Sequence, residues 1–320
     1  TYEAETLIED GISSPEHISL KVRLAVADSR VLVDFAGSSL QRRCGLNCPW
    51  SSTISMTRYA VRCVVAPETS QNGGLDRCVL VVAPEGNILN PMSPAAVSSR
   101  HYTQQAVADV VLKALARAAP ERAAACSQIS VPIFGAEGID DRPARPGRRR
   151  GRYITFDIMG GGMGGSPRSD GLNAVDTHGG NCALISAEVM ETASPVRVLR
   201  TALVPGSGGV GEYRGGLALE RDYEFLARET WASAKLQQAS PETAPGGAGG
   251  GAPGATGFVM LNPGTERQEI IAPRGQRRLF PRGEVIRLRG AGGGGYGDPA
   301  RRLPELRTRD EADGLAGPTG

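Results

Sequence analysis

Alternating apolar and polar residues mark the first recognisable structure in the chain. Residues 18–35 read ISLKVRLAVADSRVLVDF, with apolar side chains at every second position on both sides of Ala27-Asp28-Ser29. Such alternation is typical of strands with one buried face, and the polar triplet is typical of a turn. The pattern therefore predicts a β-hairpin.

Two longer segments have apolar residues at helical spacing. Residues 52–65 predict a helix that Ser51 or Ser52 could cap, because serine oxygens accept hydrogen bonds from the first free backbone amides. Residues 94–119 predict the clearest helix, which Pro120 ends. His101 lies in this helix, where we expect a structural role.

Short apolar runs bounded by Gly, Pro or Asn predict further strands, most of them in the second half. They cover residues 78–83, 129–134, 153–159, 196–204, 217–226, 258–261 and 285–288. The fold class is therefore α+β, with a mixed first half containing one long helix and a β-rich, Gly-rich second half.

The polar and Gly/Pro-rich stretches suggest how the chain is divided. Residues 1–135 are expected to form a mixed α/β part and residues 136–152 an exposed linker or loop. Residues 153–302 would form the β-rich part, in which 239–257 is a low-complexity loop. Residues 303–320 would be a polar tail.

Composition excludes several classes of protein. The net charge is only +2, from 36 basic and 34 acidic residues, and aromatic residues make up 5%; neither favours nucleic-acid binding. No apolar run reaches the ~18 residues that a membrane span needs, and no signal peptide opens the chain. We therefore expect a cytoplasmic protein without a membrane partner.

The cysteines, the histidines and the first residue add three expectations. The six cysteines include no C-x-x-C pair, which favours reduced and mostly buried thiols, and with three histidines a zinc site is not expected. His17 follows a predicted turn and is expected at the surface. Because the chain starts at Thr1 without Met, we expect a fragment or a processed product; a nucleophilic Thr1 is an alternative that needs an unblocked N-terminus.

The densest cluster of chemically useful side chains lies in residues 160–181, GGGMGGSPRSDGLNAVDTHGGN. The glycines follow a predicted strand, but neither a helix nor a Lys-Ser/Thr pair follows them, so a phosphate loop is not supported. Asp176, His178 and Asn181 could converge on a substrate or a metal, with the glycines giving access. The alternative is a hydrogen-bonded loop in which His178 fixes neighbouring backbone.

Several motifs together resemble the hydantoinase B/oxoprolinase family, in family order along nearly the whole chain. They are VDFAGSSLQ (33–41), the Asn47-x-Pro49 turn, LVVAPEGNILNPMSPAAVSSR (80–100), the segment 160–181, PVRVLRTALVPGSGGVGEYRGGLALERDYEFL (195–226), GGAGGGAPGATG (246–257) and GAGGGGYGDP (290–299). The resemblance covers the C-terminal half of such proteins. The Asn-Asp-Pro…Gly-Gly-x-His…Asp motif of their N-terminal half, which resembles a divalent-metal region, has no match here.

The resemblance implies an ATP-dependent enzyme of several parts. A hydantoinase A-like subunit would bind ATP and Mg and phosphorylate the substrate, and another chain or segment would supply the missing N-terminal half. By the same resemblance, His178 and Asp176 are candidate catalytic residues, and Asn47 and Asn181 are candidate substrate-binding residues. No cofactor or metal ligand is assigned to this chain, and Lys235-Leu236-Gln237-Gln238 departs from the basic residues of relatives.

Three functions follow as expectations. The first is the C-terminal portion of the B-type subunit of an ATP-dependent hydrolase of cyclic amides, such as hydantoin, 5-oxoproline or another lactam. The second is a subunit of an ATP-dependent ketone carboxylase of the acetone or acetophenone type. The third is a non-catalytic structural subunit whose glycine segment packs against the backbone of a partner.

Overall fold

A computed structural model describes residues 1–11, 13–143, 151–273 and 275–317 of the chain. In these residues thirteen strands and five helices follow one another. In chain order they are β1 (Tyr2–Ile8), β2 (Ile18–Ala27), β3 (Arg30–Asp34), α1 (Trp50–Val65), α2 (Gly73–Cys78), β4 (Val79–Val82), α3 (Arg100–Ala118), β5 (Ile133–Asp140), β6 (Gly151–Ile158), α4 (Ala187–Ala193), β7 (Val196–Leu203), β8 (Leu219–Phe225), β9 (Glu229–Lys235), β10 (Phe258–Leu261), β11 (Glu269–Ile271), β12 (Arg278–Pro281), β13 (Val285–Arg289) and α5 (Pro304–Ala312).

The strands form three sheets, which confirms the α+β class. Their orders are β1-β2-β3-β4, β11-β10-β13-β8-β7 and β12-β9-β5-β6. All neighbouring strands are antiparallel except β3 and β4, which are parallel. The predicted hairpin is confirmed as β2 and β3, since Ala27 lies directly opposite Arg30.

The first sheet and two helices enclose one hydrophobic core. Alternate residues of β2 are buried, from Ile18 to Leu24, and they face α3. Helix α1 buries positions three and four residues apart, such as Met56 and Ala60, against the same helix. Helix α3 is consequently buried on almost every side and is the central element of this half.

The second and third sheets enclose another core. Phe134 stacks on Tyr223 with ring centroids 4.0 Å apart, and Phe225 stacks on Phe280 at 5.0 Å. Beneath these rings Asp157 accepts hydrogen bonds from Tyr223 and from Arg221, whose side chain is 1% exposed. The pairing keeps a buried charge compensated.

Glycine segments fill the space between the two cores. Residues 160–165, 206–216, 246–254 and 290–297, which we call the glycine core, run alongside one another and exchange backbone hydrogen bonds. Gly165 N–H donates to Gly294 at 2.8 Å and Gly293 N–H to Gly216 at 2.9 Å. A Cβ at Gly162 would overlap backbone of both neighbouring segments. Only glycine permits this approach, and the backbone that it meets belongs to the same chain.

Several predicted boundaries were wrong. The long helix starts at Arg100 rather than at residue 94, and the first helix starts after Pro49 without a serine cap. The short helix α2 was not predicted; it begins after Asn72, whose side chain accepts from two backbone amides. Strand β5 begins at Ile133 rather than at 129.

Two segments expected to be irregular contain paired or helical structure. Within 136–152, β5 continues to Asp140 and β6 begins at Gly151, directly opposite it; residues 144–150 lie outside the described part. In the tail, α5 is held by Asp310, whose carboxylate lies 3.1 Å from Arg214 and 2.6 Å from Arg302. The division into parts at residues 136–152 stays a prediction.

The cysteines and the helices bear on two further expectations. All six cysteines are free thiols, but Cys63, Cys78 and Cys182 are exposed, so the expectation of mostly buried thiols was wrong. None of the helices in the described ranges combines the length and the apolar character that crossing a bilayer requires.

Candidate functional site

His178 meets a carboxylate that is distant in sequence. Its Nε2 lies 2.8 Å from Oδ1 of Asp109 on helix α3, and the two side chains are only 3% and 4% exposed. A carboxylate accepts hydrogen bonds but does not donate them, so Nε2 carries the proton. In the neutral ring Nδ1 then holds the lone pair and can accept a proton.

Asp109 is itself positioned by the backbone. Its Oδ1 also accepts from the Ser127 amide at 3.1 Å, and the Ser127 hydroxyl accepts from the amide of Gly164 in the glycine core at 3.1 Å. The glycine core and α3 therefore fix the carboxylate from two sides. A carboxylate held in this way orients the imidazole and stabilises its protonated form.

The loop that carries His178 is fixed on both sides of this residue. His178 has a φ of +54°, a left-handed conformation that is uncommon outside glycine. The Thr177 hydroxyl donates to the carbonyl of Gln128 at 2.6 Å, and the Gly179 amide donates to the Gln105 side chain at 3.3 Å. Such backbone strain, held by surrounding contacts, is frequent at functional sites.

Two residues with raised pKa values surround the pair. Burial raises the pKa of the Tyr59 phenol, whose ring meets His178 edge-on at 5.9 Å. Burial also raises the pKa of the Cys126 thiol to about 12, and the Asp109 carboxylate contributes in the same direction. Both groups are therefore protonated at neutral pH. A cavity of about 360 Å³ is lined by Asp109, Lys113 and Cys126, so it meets the pair on the Asp109 side and not at His178.

The structure brings three of the four predicted site residues into one loop. Asp176 accepts from the amide of Cys182 at 2.9 Å, and its carboxylate folds against Gly180, so that it closes the turn around His178. Asn181 is exposed on the same turn. Their chemical roles stay predictions.

Asn47 lies in a different place. It is fully buried, and its side-chain oxygen accepts from the amide of Arg42 while its nitrogen donates to the carbonyls of Arg42, Cys44 and Ala96, at 2.9–3.0 Å. These bonds account for all the hydrogen-bonding groups of the amide. The geometry favours a role in shaping the 42–47 loop over contact with a substrate.

Sequence reasoning missed Asp109. The only signal was one acidic residue inside the apolar run Val107-Ala108-Asp109-Val110-Val111 of a helix, because charged residues are rarely buried without a partner. His101, by contrast, lies in the long helix, as predicted. Its ring lies against that of Tyr102 in α3, with centroids 4.0 Å apart and planes tilted by 46°. Burial, reinforced by Lys235 and Arg100, lowers the pKa of His101 to about 4.

The geometry of the described residues favours neither a metal site nor a nucleotide site. No group of three His, Cys, Asp or Glu side chains among them is arranged around a metal ion. The glycines of 160–165 contact protein backbone instead of forming an open cradle, and no helix follows them before residue 187. These residues do not fit a nucleotide phosphate.

The family model for hydantoinase B/oxoprolinase matches residues 1–299. The chain therefore belongs to this family, as the motifs suggested. A protein of Pseudomonas sp. strain NS671, described as the B-type subunit of a D-/L-hydantoinase, is 30% identical over 98% of this chain and 53% of its own length.

Two solved structures have the same fold. The ATP-dependent caprolactamase of Pseudomonas jessenii is 25% identical with a TM-score of 0.80, over 99% of this chain and 55% of its own. An acetone carboxylase is 17% identical with a TM-score of 0.81, over 98% of this chain and 47% of its own, and shows likeness of fold alone. The chain thus spans about half the length of these three proteins.

Proposed function

We propose that this chain is part of an ATP-dependent hydrolase of cyclic amides, in which it corresponds to the C-terminal portion of a B-type subunit. The observation that carries the proposal is family membership over residues 1–299 together with likeness to a hydantoinase subunit and a caprolactamase. Hydantoin and caprolactam are both cyclic amides. The cytoplasmic location that we expect is part of the same proposal.

ATP and Mg belong on another part of the enzyme in this proposal. The glycine core is occupied by the chain's own backbone, which supports placing the nucleotide elsewhere. A hydantoinase A-like subunit would bind ATP and transfer a phosphoryl group to the amide oxygen. That transfer makes the ring carbonyl carbon susceptible to attack by water.

His178 would move the proton in the hydrolytic step. As the water oxygen bonds to the carbonyl carbon, Nδ1 accepts the water proton, and Asp109 stabilises the imidazolium at Nε2. When the ring C–N bond breaks, the same proton passes to the leaving nitrogen and an acyl phosphate remains. The imidazole is thereby regenerated. A second water then hydrolyses the acyl phosphate, which releases inorganic phosphate and leaves the carboxylate.

The remaining loop residues would support this step. Asn181, exposed beside His178, can bind polar atoms of the substrate. Asp176 holds the turn on which both residues lie through its bond to the Cys182 amide. Tyr59 remains protonated and so can donate a hydrogen bond near the imidazole.

A ketone carboxylase is the second candidate, supported by the acetone carboxylase fold. Sequence identity favours the hydrolase, since it is 30% and 25% with the hydantoinase subunit and the caprolactamase but 17% with the carboxylase. The two functions differ in the nucleophile, water or bicarbonate. Assays of the assembled enzyme for ring opening of lactams and for bicarbonate-dependent carboxylation of acetone separate them.

The test of the catalytic role is His178→Ala in the assembled enzyme, with His17→Ala as a matched control. We expect ring opening to fall by roughly 10²–10⁴-fold, the usual contribution of a positioned acid–base group, while the complex still elutes as one species. Unchanged turnover would remove His178 from the mechanism. Loss of assembly instead of rate would favour a structural subunit.

A further inference from the structure

One face of the third sheet presents a row of apolar side chains to solvent. Glu137 of β5 lies opposite Ile154 on one side and opposite Trp231 on the other, and Leu279 of β12 lies opposite Trp231. Directly opposed residues share a face of a sheet. Ile139 lies two residues beyond Glu137 on β5, and Phe156 lies two residues beyond Ile154 on β6, so both belong to the same face.

We call Ile139, Ile154, Phe156, Trp231 and Leu279 the apolar face. Ile154 is 82% exposed, Phe156 60% and Trp231 41%. The opposite face of the same strands is buried in the second core and carries Phe134, Ala136, Ala232, Ala234 and Phe280. Both faces of this sheet are thus apolar, but only one is covered.

The first sheet shows what a solvent-facing surface looks like in the same molecule. Its outer face carries the exposed Leu80 and Val82 at the β4 edge, but the other strands present opposed charges there, with Lys21 3.8 Å from Glu5 and Arg23 3.3 Å from Asp34. An antiparallel sheet with one wet face normally alternates in this way. The apolar face departs from that pattern, and contiguous exposed apolar patches mark interaction sites.

The polar groups of the apolar face are also typical of an interface. The Arg277 guanidinium stacks over the Trp231 ring at 4.6 Å and lies 2.9 Å from Glu137. Trp and Arg are enriched among residues that contribute most to binding. Their stacking orders a large, rigid contact surface before a partner arrives.

The relatives indicate what covers this face. The hydantoinase subunit and the caprolactamase chain extend to nearly twice the length of this chain, which matches 53% and 55% of them. We propose that the apolar face binds the polypeptide equivalent to the unmatched half of those chains. The inference rests on the proposed multi-part enzyme for its occupant but not on any role of His178.

Superposition on the caprolactamase chain is the first test. We expect residues from its unmatched 45% to contact the positions equivalent to Ile154, Phe156 and Trp231. Solvent at those positions, or contact by the matched half of a second copy, would overturn the proposal.

Cysteine labelling in the assembled enzyme is the second test. Ile154→Cys places a thiol on the apolar face, and Val26→Cys is a control on an exposed strand position of the first sheet. Peptide mass spectrometry after iodoacetamide treatment reads each site separately. From isolated chain to assembled enzyme, labelling at 154 should fall at least about tenfold, since a covered thiol reacts only through local opening, and labelling at 26 should not change.

The outcomes distinguish this proposal from the catalytic one. Equal labelling at 154 in both states would refute the docking surface even if His178→Ala abolishes turnover. Sedimentation of the isolated chain shows whether a second copy of this chain, rather than the proposed occupant, binds the apolar face. A discrete dimer that Phe156→Lys dissociates would also refute the proposed occupant.

Discussion

Alanine at Gly162 tests whether the glycine core is a packed interior. The Cβ of alanine would fall on the hydrogen bond that Gly293 N–H donates to the carbonyl of Gly216, overlapping both the donor nitrogen and the acceptor oxygen. Ordinary contacts need about 3.5 Å, so these segments must separate by more than about 1 Å.

The expected cost has two parts. Overpacking a filled interior costs about 1–3 kcal/mol. Opening a buried backbone hydrogen bond adds about 1–3 kcal/mol for the groups left unpaired. The sum, about 2–6 kcal/mol, is a large share of the roughly 5–15 kcal/mol that stabilises a typical domain.

Gly246→Ala is the matched control. A Cβ at Gly246 would meet only the Cys126 sulfur, at 3.9 Å, and the residue has no positive φ. Alanine there should be neutral or stabilise the fold by up to about 1 kcal/mol, because it restricts the unfolded chain.

Urea unfolding followed by circular dichroism measures both variants. With a slope of roughly 3 kcal/mol per molar urea, the midpoint of Gly162→Ala should fall by about 0.7–2 M. If both variants unfold at the same urea concentration, close backbone packing does not hold the glycine segments together, and the reasoning fails.

Three further predictions follow from buried charges. Asp109→Asn should leave the fold intact but reduce ring opening by roughly 10²–10⁴-fold, because the imidazolium of His178 loses its counter-charge. The folded state holds the His101 pKa near 4, below the ~6.5 of an unfolded chain, so His101 must stay neutral to fold. The contribution of neutral His101 to the free energy of unfolding is complete above pH 6.5 and falls by about 3 kcal/mol as the pH drops to 4. In His101→Gln the free energy of unfolding should lack this pH dependence. Asp310→Asn removes one carboxylate from Arg214 and Arg302, while Arg302 keeps Asp170 at 2.7 Å, so the loss of these charge-assisted hydrogen bonds should destabilise the fold by about 1.5–3 kcal/mol in urea.

The Asp310 prediction has a control on the same chain, and a stated outcome contradicts each of the other two. Asp313→Asn, on an exposed residue just after α5, should not change stability, and an equal loss in both variants would argue against the ion network around Asp310. If His101→Gln has the wild-type pH dependence of unfolding, His101 does not titrate in the way described. If Asp109→Asn retains full turnover, the pair with His178 has no part in proton transfer.

The order of strands and helices was largely predictable from the chain. Alternation over 18–35 and helical spacing over 52–65 depend on side chains a few residues apart, so local sequence contains the information. The predicted starts of the two long helices, near Ser51 and Pro94, were misplaced. Neither α1 nor α3 has a side-chain cap, so tertiary contacts rather than capping residues set where these helices begin. The pairing of β5 with β6 across 136–152 depends on contacts of β5 with β9 far along the chain.

The partners of His178 could not be predicted in the same way. Asp176 is close to His178 in sequence, and spacing suggested that the two act together. In the fold Asp176 closes the turn, while Asp109, 69 residues away, accepts the hydrogen bond from the imidazole of His178. Asn47 lies on a family motif, but its side-chain amide is buried and hydrogen-bonded to backbone groups.

The sequence by itself determined the family, the α+β class and the presence of glycine segments that only close approach could explain. The glycine content shows that these segments must lie close to another backbone segment, but it does not identify that segment. The tertiary structure decided that the four glycine segments pack against each other within one chain and fix Ser127, and through it Asp109, beside His178. The reason is physical: periodicity acts over a few residues, whereas packing joins residues that the chain keeps far apart.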